Sequence, residues 1–168
     1  MVIETARLDS PIGGVRLAVH GERLCALGFA EHWPRLEHAL RRRFVGLELR
    51  TSDDPAGVVT RLRAYFAGDV SALDSIAVDL GGTEFQRRVW SKLREIPCGR
   101  TLSYRDLASA IGAPSAVRAV GAANGANPVS IVVPCHRVIG ANGDLVGYGG
   151  GIERKSWLLT HEGARLLP

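Results

Sequence analysis

The chain has 168 residues, which is enough for one ordinary domain or two small domains with a hydrophobic core. Apolar residues make up 46% and charged residues 23%, as in soluble globular proteins. No apolar run approaches the roughly 18 residues of a membrane span, and the N-terminus lacks the apolar segment of a secretion signal. Three widely spaced cysteines, Cys25, Cys98 and Cys135, argue against a disulfide framework. We therefore expect a cytoplasmic protein, or a nuclear one in a eukaryote, that does not contact a membrane.

Positive charge is concentrated in the second half of the chain. Residues 1–80 hold 10 basic and 11 acidic side chains, a net charge of −1. Residues 81–168 hold 11 basic and 6 acidic side chains, a net charge of +5. The second half is therefore the half expected to meet a polyanion such as a nucleic acid.

The first half has the pattern of an α/β domain. Apolar residues alternate from Val15 to Val19 and continue from Leu24 to Phe29, which predicts two strands. Leu36, Leu40 and Phe44 are spaced by four and predict a helix. A second helix is expected to begin at Asp54-Pro55, and a short strand at Ile76, Val78 and Leu80 closes this half.

Gly81-Gly82 is the predicted domain boundary, because the net charge changes there and the second half is predicted to be mainly helix and loop. We assign residues 1–80 to the first domain and residues 81–168 to the second. The second domain opens with Thr83 and Gln86, the spacing of a capping box, so a helix is expected to start here.

Two short helices joined by a Gly-containing turn follow, the pattern of a helix-turn-helix. Ser103 is the predicted cap of the first helix, and the second begins near Ser115. The predicted outward face of the second helix carries only small side chains. It therefore has few groups that could read base edges, but it can approach a narrow minor groove closely. An ordinary helical hairpin is the alternative. The residues of this face are Ala116, Ala119, Gly121, Ala122, Ala123 and Gly125.

Cys135 stands between Pro134 and His136 at the end of an apolar run. A thiolate is a strong nucleophile, and a nearby histidine can lower the pKa of a thiol. A buried structural cysteine is the alternative, since free cysteines are usually buried.

The stretch from Pro134 to Val138 resembles the acceptor motif of the O6-alkylguanine-DNA alkyltransferases. The likeness is close over residues 83–163 and looser in the first half, where it rests on Leu8-Asp9-Ser10-Pro11 and Ala64-Tyr65-Phe66. The other matching segments are Phe85 to Trp90, Ser103-Tyr104, Arg118-Ala119-Val120-Gly121, Asn127-Pro128-Val129, Gly147-Tyr148-Gly149-Gly150, Trp157-Leu158-Leu159 and His161-Glu162-Gly163.

This resemblance implies a ribonuclease-H-like α/β domain followed by a winged helix-turn-helix domain that binds alkylated double-stranded DNA in the minor groove. It implies direct repair, in which a monomer transfers an alkyl group irreversibly and stoichiometrically from O6 of guanine to Cys135, without a cofactor. A methylated base is rotated out of the duplex for this reaction. O4-alkylthymine as a second substrate and cooperative binding along DNA stay open.

The resemblance also implies residue roles. His136 would take the proton of Cys135 through a water, and Glu162 would orient His136. Tyr104 would hydrogen-bond the guanine ring. Arg118 would fill the gap left in the base stack, and Asn127 would hold the turn before the active site. The remaining residues expected to contact DNA or substrate are Ser103, Ala119, Gly121, Val138, Tyr148, Gly149 and Gly150. Judged alone, Arg118 would be a solvated helix residue and Tyr104 a core residue. Glu162 is expected in the last turn of a helix, where the helix dipole disfavours a carboxylate, so another group is expected to hold it; a solvated surface side chain is the alternative.

Other assignments were weighed against these. His20 and Cys25 could suggest zinc, but two candidate ligands do not make a site, so no metal is expected. Cys98 is interpreted as structural. A damage-binding protein without transferase activity would carry tryptophan in place of Cys135. A Cys/His hydrolase would turn over repeatedly and would leave the helix-turn-helix without a role.

Overall fold

The computed structural model describes residues 1–165 of the chain, which divides into two compact units, Met1–Gly81 and Gly82–Pro168. The first unit contains a four-stranded sheet, and the second is mainly helical. Within the described residues, no helix is long and apolar enough to span a bilayer.

The sheet of the first unit has the strand order β3-β2-β1-β4. Strand β1 pairs antiparallel with β2 and parallel with β4, and β2 pairs antiparallel with β3. The strands are β1 (Val2–Leu8), β2 (Val15–His20), β3 (Arg23–Phe29) and β4 (Glu48–Thr51). The predicted strands at β2 and β3 are confirmed, whereas β4 was not predicted, because three of its four residues are exposed and it shows no apolar alternation.

Two helices complete this unit, α1 (Trp33–Arg43) and α2 (Val58–Phe66). Helix α1 lays Trp33 and Leu40 against Ile3, Ala18 and Ala26 of the sheet, forming one apolar core cluster. Helix α2 packs against β1 and buries its own apolar side chains Val58, Val59, Leu62 and Tyr65.

Two expectations for the first unit are wrong in detail. Residues Pro55–Gly57 form a separate 3-10 turn, because Ala56 and Gly57 both have positive φ, and α2 starts only after this turn. Asp54 still accepts a hydrogen bond from the backbone N–H of Thr60. The predicted strand at 76–80 is a single bridge between Val78 and Leu24. Ile76 is buried, but Val78, Asp79 and Leu80 are all half-buried, so the apolar alternation there does not mark one buried face of a strand.

The second unit begins with α3 (Glu84–Leu93). The predicted capping box is present: Thr83 Oγ1 accepts from the backbone N–H of Gln86 at 3.1 Å, and Gln86 Oε1 accepts from that of Thr83 at 2.9 Å. These bonds satisfy N–H groups that a helix start otherwise leaves without partners. Trp90, buried on this helix, donates its Nε1–H to the carbonyl of Ala123 at 2.7 Å, which ties α3 to the helix Val117–Gly125.

The predicted helix pair is α4 (Tyr104–Ala110) and α5 (Val117–Gly125), and Ser103 caps α4 through the backbone N–H of Asp106 at 3.0 Å. Two-residue strands β5 (Leu102–Ser103) and β6 (Val138–Ile139) pair in parallel, and α6 (Ile152–His161) is the last described helix.

One expectation for the outward face of α5 is wrong. Ala123 is buried, because the α3·α5 contact covers it, whereas Ala119 and Ala122 are exposed.

Candidate active site

Cys135 begins a 3-10 turn, Cys135–Arg137, that leads directly into β6. The thiol is buried, with only 6% of the residue exposed. Burial raises the pKa of this thiol, and the side chain of Asn127 and the positive charge of Lys155 oppose that rise only in part. The resting thiol is therefore less ionised than an exposed cysteine, and it needs a base before it can act as a nucleophile.

Two asparagines hold the backbone around Cys135. Asn127 donates from Nδ2 to the carbonyl of Val133 at 2.7 Å and accepts the backbone N–H of Val129 at 3.0 Å. Asn124, which was not singled out in the sequence, donates to the carbonyl of Cys135 at 3.4 Å. Between Asn127 and Cys135, Ile131 adopts φ 72°, an unfavourable conformation for a β-branched residue. These bonds fix a strained turn just before the reactive cysteine.

His136 is fully buried and faces Glu162, the C-cap residue that directly follows α6. Its Nε2 lies 3.0 Å from both carboxylate oxygens. Burial lowers the pKa of His136, and the Glu162 carboxylate opposes that change. Burial raises the pKa of Glu162, but the hydrogen bonds from His136 and Arg137 outweigh this and hold that pKa well below its ordinary value. An ionised carboxylate only accepts hydrogen bonds, so Nε2 carries the proton and Nδ1 is the basic nitrogen.

Arg137 binds the same carboxylate. Its Nε donates to Oε1 of Glu162 at 2.8 Å and its Nη2 donates to Oε2 at 2.9 Å, a two-pronged contact. The guanidinium also donates to the carbonyl of Ile96 at 2.6 Å and to Sγ of Cys98 at 2.9 Å. Cys98 therefore lies beside the active-site turn, a placement that the sequence did not indicate.

Lys155 is a charged residue of the site that sequence analysis missed. It is fully buried on α6, and its Nζ donates to the carbonyls of Val138 at 2.5 Å and Val146 at 2.7 Å. Burial lowers its pKa to about 8, while the nearby Cys135 raises it. The signal was available, because Lys155 lies three and four residues before the buried Leu158 and Leu159 and so shares their helix face.

Tyr104 contacts the loop of residues 140–151. The Tyr104 hydroxyl donates to the carbonyls of Val146 at 3.2 Å and Gly147 at 3.1 Å. A Cβ on Gly147 would lie 3.0 Å from that hydroxyl oxygen, so glycine allows the close approach. Tyr148 stands edge-on to the His136 ring at 6.4 Å, and its buried hydroxyl has no hydrogen-bond partner within residues 1–165. Gly149 and Gly150 follow in the same loop.

The remaining predicted DNA contacts lie on α5 and at the two short strands. Arg118 and Ala119 are exposed, and Gly121 is half-buried beside Tyr104. Ser103 is occupied as the cap of α4, and the carbonyl of Val138 is occupied by Lys155. Their contact with DNA stays a prediction.

His20 and Cys25 are engaged within their own unit. His20 packs against the ring of Phe44 at 5.5 Å, and Cys25 donates its S–H to the carbonyl of Ala18 at 3.3 Å. Burial raises the pKa of Cys25 to about 11. Within the described part of the chain, no three His, Cys, Asp or Glu side chains are grouped as metal ligands would be.

Family models match both units. The ribonuclease-like domain of 6-O-methylguanine DNA methyltransferase matches residues 3–80, and the DNA binding domain of the same protein matches residues 84–164. The chain belongs to the 6-O-methylguanine DNA methyltransferase family. The family predicted from the acceptor motif is therefore confirmed, as is the fold class with its N-terminal sheet domain and C-terminal helical domain.

Relatives in this methyltransferase family match almost end to end. The methylated-DNA–protein-cysteine methyltransferase of Salmonella typhimurium is 48% identical over 164 residues, covering 96% of each chain. The Mycobacterium tuberculosis protein of the same name is 47% identical over 167 residues, covering 98% of this chain and 94% of that one. A crystal structure of M. tuberculosis OGT in complex with DNA superposes with a TM-score of 0.80 at 46% identity, covering 95% and 92% of the two chains.

Proposed function

We propose that this chain repairs DNA directly by transferring an alkyl group from O6 of guanine in double-stranded DNA to Sγ of its own Cys135. One observation carries the proposal. Directly after Cys135 stands a buried histidine whose Nε2 is held by Glu162, while its Nδ1 has no hydrogen-bond partner among residues 1–165. A buried polar atom normally finds a partner, so a water or a reacting group is expected there.

The site contains a thiol, a base and a positive charge that favours the thiolate, which are the groups that thiol alkylation needs. In our account a water bound at Nδ1 carries the Cys135 proton to His136, and Glu162 stabilises the resulting imidazolium. The positive charge of Lys155 favours the thiolate that forms. Burial keeps the thiol protonated at rest, which protects it from unrelated electrophiles until substrate arrives.

The transfer itself is a displacement at the alkyl carbon. The thiolate sulfur forms a bond to that carbon, the bond from carbon to O6 breaks, and its electron pair stays on the guanine. The proton that left the thiol ends on the guanine ring, so normal guanine is restored. The product on Cys135 is a thioether, which water does not cleave, and each molecule therefore acts once.

Access to O6 requires that the damaged nucleotide leave the base stack. We propose that α5 lies in the minor groove, where its exposed small residues allow close approach and Arg118 replaces the extruded base. Tyr104 would then donate to the base, for which its hydroxyl hydrogen has to leave the loop carbonyls that it binds now. We further propose that the protein acts as a monomer in the cytoplasm and needs no metal.

A single-turnover assay tests the proposal. Protein is mixed with excess duplex DNA that contains one O6-methylguanine, and repaired guanine is counted over several hours. We expect repaired guanine to level off at one per molecule, and we expect Cys135→Ser to bind the duplex without repairing it. Repaired guanine that keeps accumulating would indicate a hydrolase instead, and binding without any repair by the parent protein would indicate a damage-binding protein.

A further inference from the structure

Arg137 stands next to His136 but touches Glu162 rather than the reacting thiol, so the mechanism above gives it no task. We propose that Arg137 is a positioning residue whose guanidinium, by sharing the Glu162 carboxylate, keeps His136 uncharged and ready to accept the Cys135 proton. This inference rests on the proposed function, in which His136 is the base.

Arg137 and His136 share the Glu162 carboxylate. Both Glu162 oxygens accept from Arg137, at 2.8 and 2.9 Å, and both also lie 3.0 Å from His136 Nε2. The negative charge of Glu162 is thus already balanced by a permanent cation. A carboxylate reserved for His136 alone would form a buried ion pair with it and would favour the protonated ring.

The charges around His136 give the second argument. Arg137 lies on the same turn, Lys155 lies on α6, and Glu162 is the C-cap residue of that helix. Tyr148 lies in the loop of residues 140–151, and Cys135 precedes His136 in the chain. Two cations against one carboxylate leave a net positive surrounding while the thiol and phenol are uncharged. Both cations lower the pKa of His136, in the same direction as its burial. A third positive charge on the ring is therefore disfavoured until the thiolate appears.

The chemical consequence follows from the order of events. A histidine that is already protonated cannot take the thiol proton, whereas a neutral ring can. Once Cys135 loses its proton, the new thiolate supplies the missing negative charge and stabilises the imidazolium. Arg137 therefore delays protonation of His136 until the step that needs it.

Arg137→Met tests this, because methionine fills part of the space and carries no charge. The protein is labelled at histidine, and the His136 ring is titrated by NMR, with the single-turnover rate on a free O6-alkylguanine base measured over the same pH range. We expect the pKa of His136 to rise. The rate should then fall about tenfold for each pH unit below that pKa and recover above it. Arg137→Lys keeps the charge but not the two-pronged contact, so it should stay closer to the parent protein than Arg137→Met does.

Arg100→Met is the matched control, since Arg100 is an exposed arginine of the same unit and lies outside the Glu162 cluster. It should leave both measurements unchanged. A rate that falls equally at all pH values, with His136 titrating as in the parent, would overturn the inference and leave Arg137 a merely structural role. A His136 pKa that rises without any change in the rate profile would support the electrostatic effect and contradict His136 as the base.

If Arg137→Met does not fold, a second pair of variants decides the question. Glu162→Gln leaves Arg137 facing His136, whereas the double variant with Arg137→Gln removes both buried charges together, which proteins tolerate better than the loss of one. We expect His136 to titrate at higher pH in the double variant than in Glu162→Gln. The same His136 pKa in Glu162→Gln and in the double variant would overturn the inference.

Discussion

Nε2 of His136 lies 3.0 Å from each carboxylate oxygen of Glu162, although the two residues are 26 positions apart, and neither side chain is exposed to solvent. Glu162 is the C-cap residue of α6, where the helix dipole disfavours a carboxylate by roughly 0.3–1 kcal/mol. The contacts with His136 and Arg137 offset that cost. The position of Glu162 is thus explained by the active-site turn and not by its own helix.

Glu162→Gln should slow transfer most at neutral pH. The amide keeps the shape of the side chain but cannot stabilise a protonated His136, so the single-turnover rate at pH 7 should fall roughly tenfold to hundredfold. At higher pH, bulk base ionises Cys135 directly and the difference should shrink. The measurement is a pH series on a free O6-alkylguanine base, which removes DNA binding from the comparison. Superimposable profiles would mean that Glu162 is only structural.

Lys155→Met should raise the pKa of Cys135, because a positive charge that favours the thiolate is lost. We expect the reaction of Cys135 with iodoacetamide to need higher pH, with a rate at pH 7 lower by roughly tenfold, which corresponds to about one pKa unit. Lys155→Arg keeps the charge and should stay closer to the parent protein. An unchanged pH profile in Lys155→Met would limit Lys155 to holding the carbonyls of Val138 and Val146.

Much of the second unit could be predicted because its signals are local. The capping box of Thr83 and Gln86 spans four residues, and the Ser103 cap spans four as well. The bridge at Val78 could not be predicted, since alternation says nothing about whether a partner strand continues beside the chain.

The candidate site divides in the same way. Cys135 and His136 are adjacent and belong to one motif, so the sequence located them. Lys155 was overlooked because a lysine on a helix is usually solvated, and only the fold shows that it lies beneath the loop of residues 140–151. Asn124 was overlooked for a similar reason, because its bond to the carbonyl of Cys135 joins residues 11 positions apart.

Arg118→Ala should impair repair of duplex DNA far more than reaction with a free base. Its proposed task is to offset the cost of extrusion, and a free base needs no extrusion. A loss of about 1–3 kcal/mol in the duplex reaction corresponds to roughly fivefold to more than hundredfold in rate. Arg63→Ala, an exposed arginine on α2 of the first unit, is the matched control. Equal losses on both substrates would point to a defect in folding or in the pocket.

DNA binding should depend on salt and be nearly indifferent to sequence. Residues 81–168 carry a net charge of +5, whereas Ala119, Gly121 and Ala122 on α5 offer few groups for base readout. Titrations of unrelated undamaged duplexes at two salt concentrations measure both properties. Strong preference for one undamaged sequence would contradict the prediction.

The central claim is that one alkyl group passes permanently to Cys135, and intact-protein mass spectrometry tests it most directly. The protein is incubated with excess duplex that contains O6-methylguanine, weighed, digested and mapped, with Cys135→Ser treated in parallel. We expect a gain of one methyl group in every molecule, located on the peptide that contains Cys135, and no gain in the variant. A methyl group found on Cys25 or Cys98, or a parent protein that restores guanine while its mass stays unchanged, would contradict it.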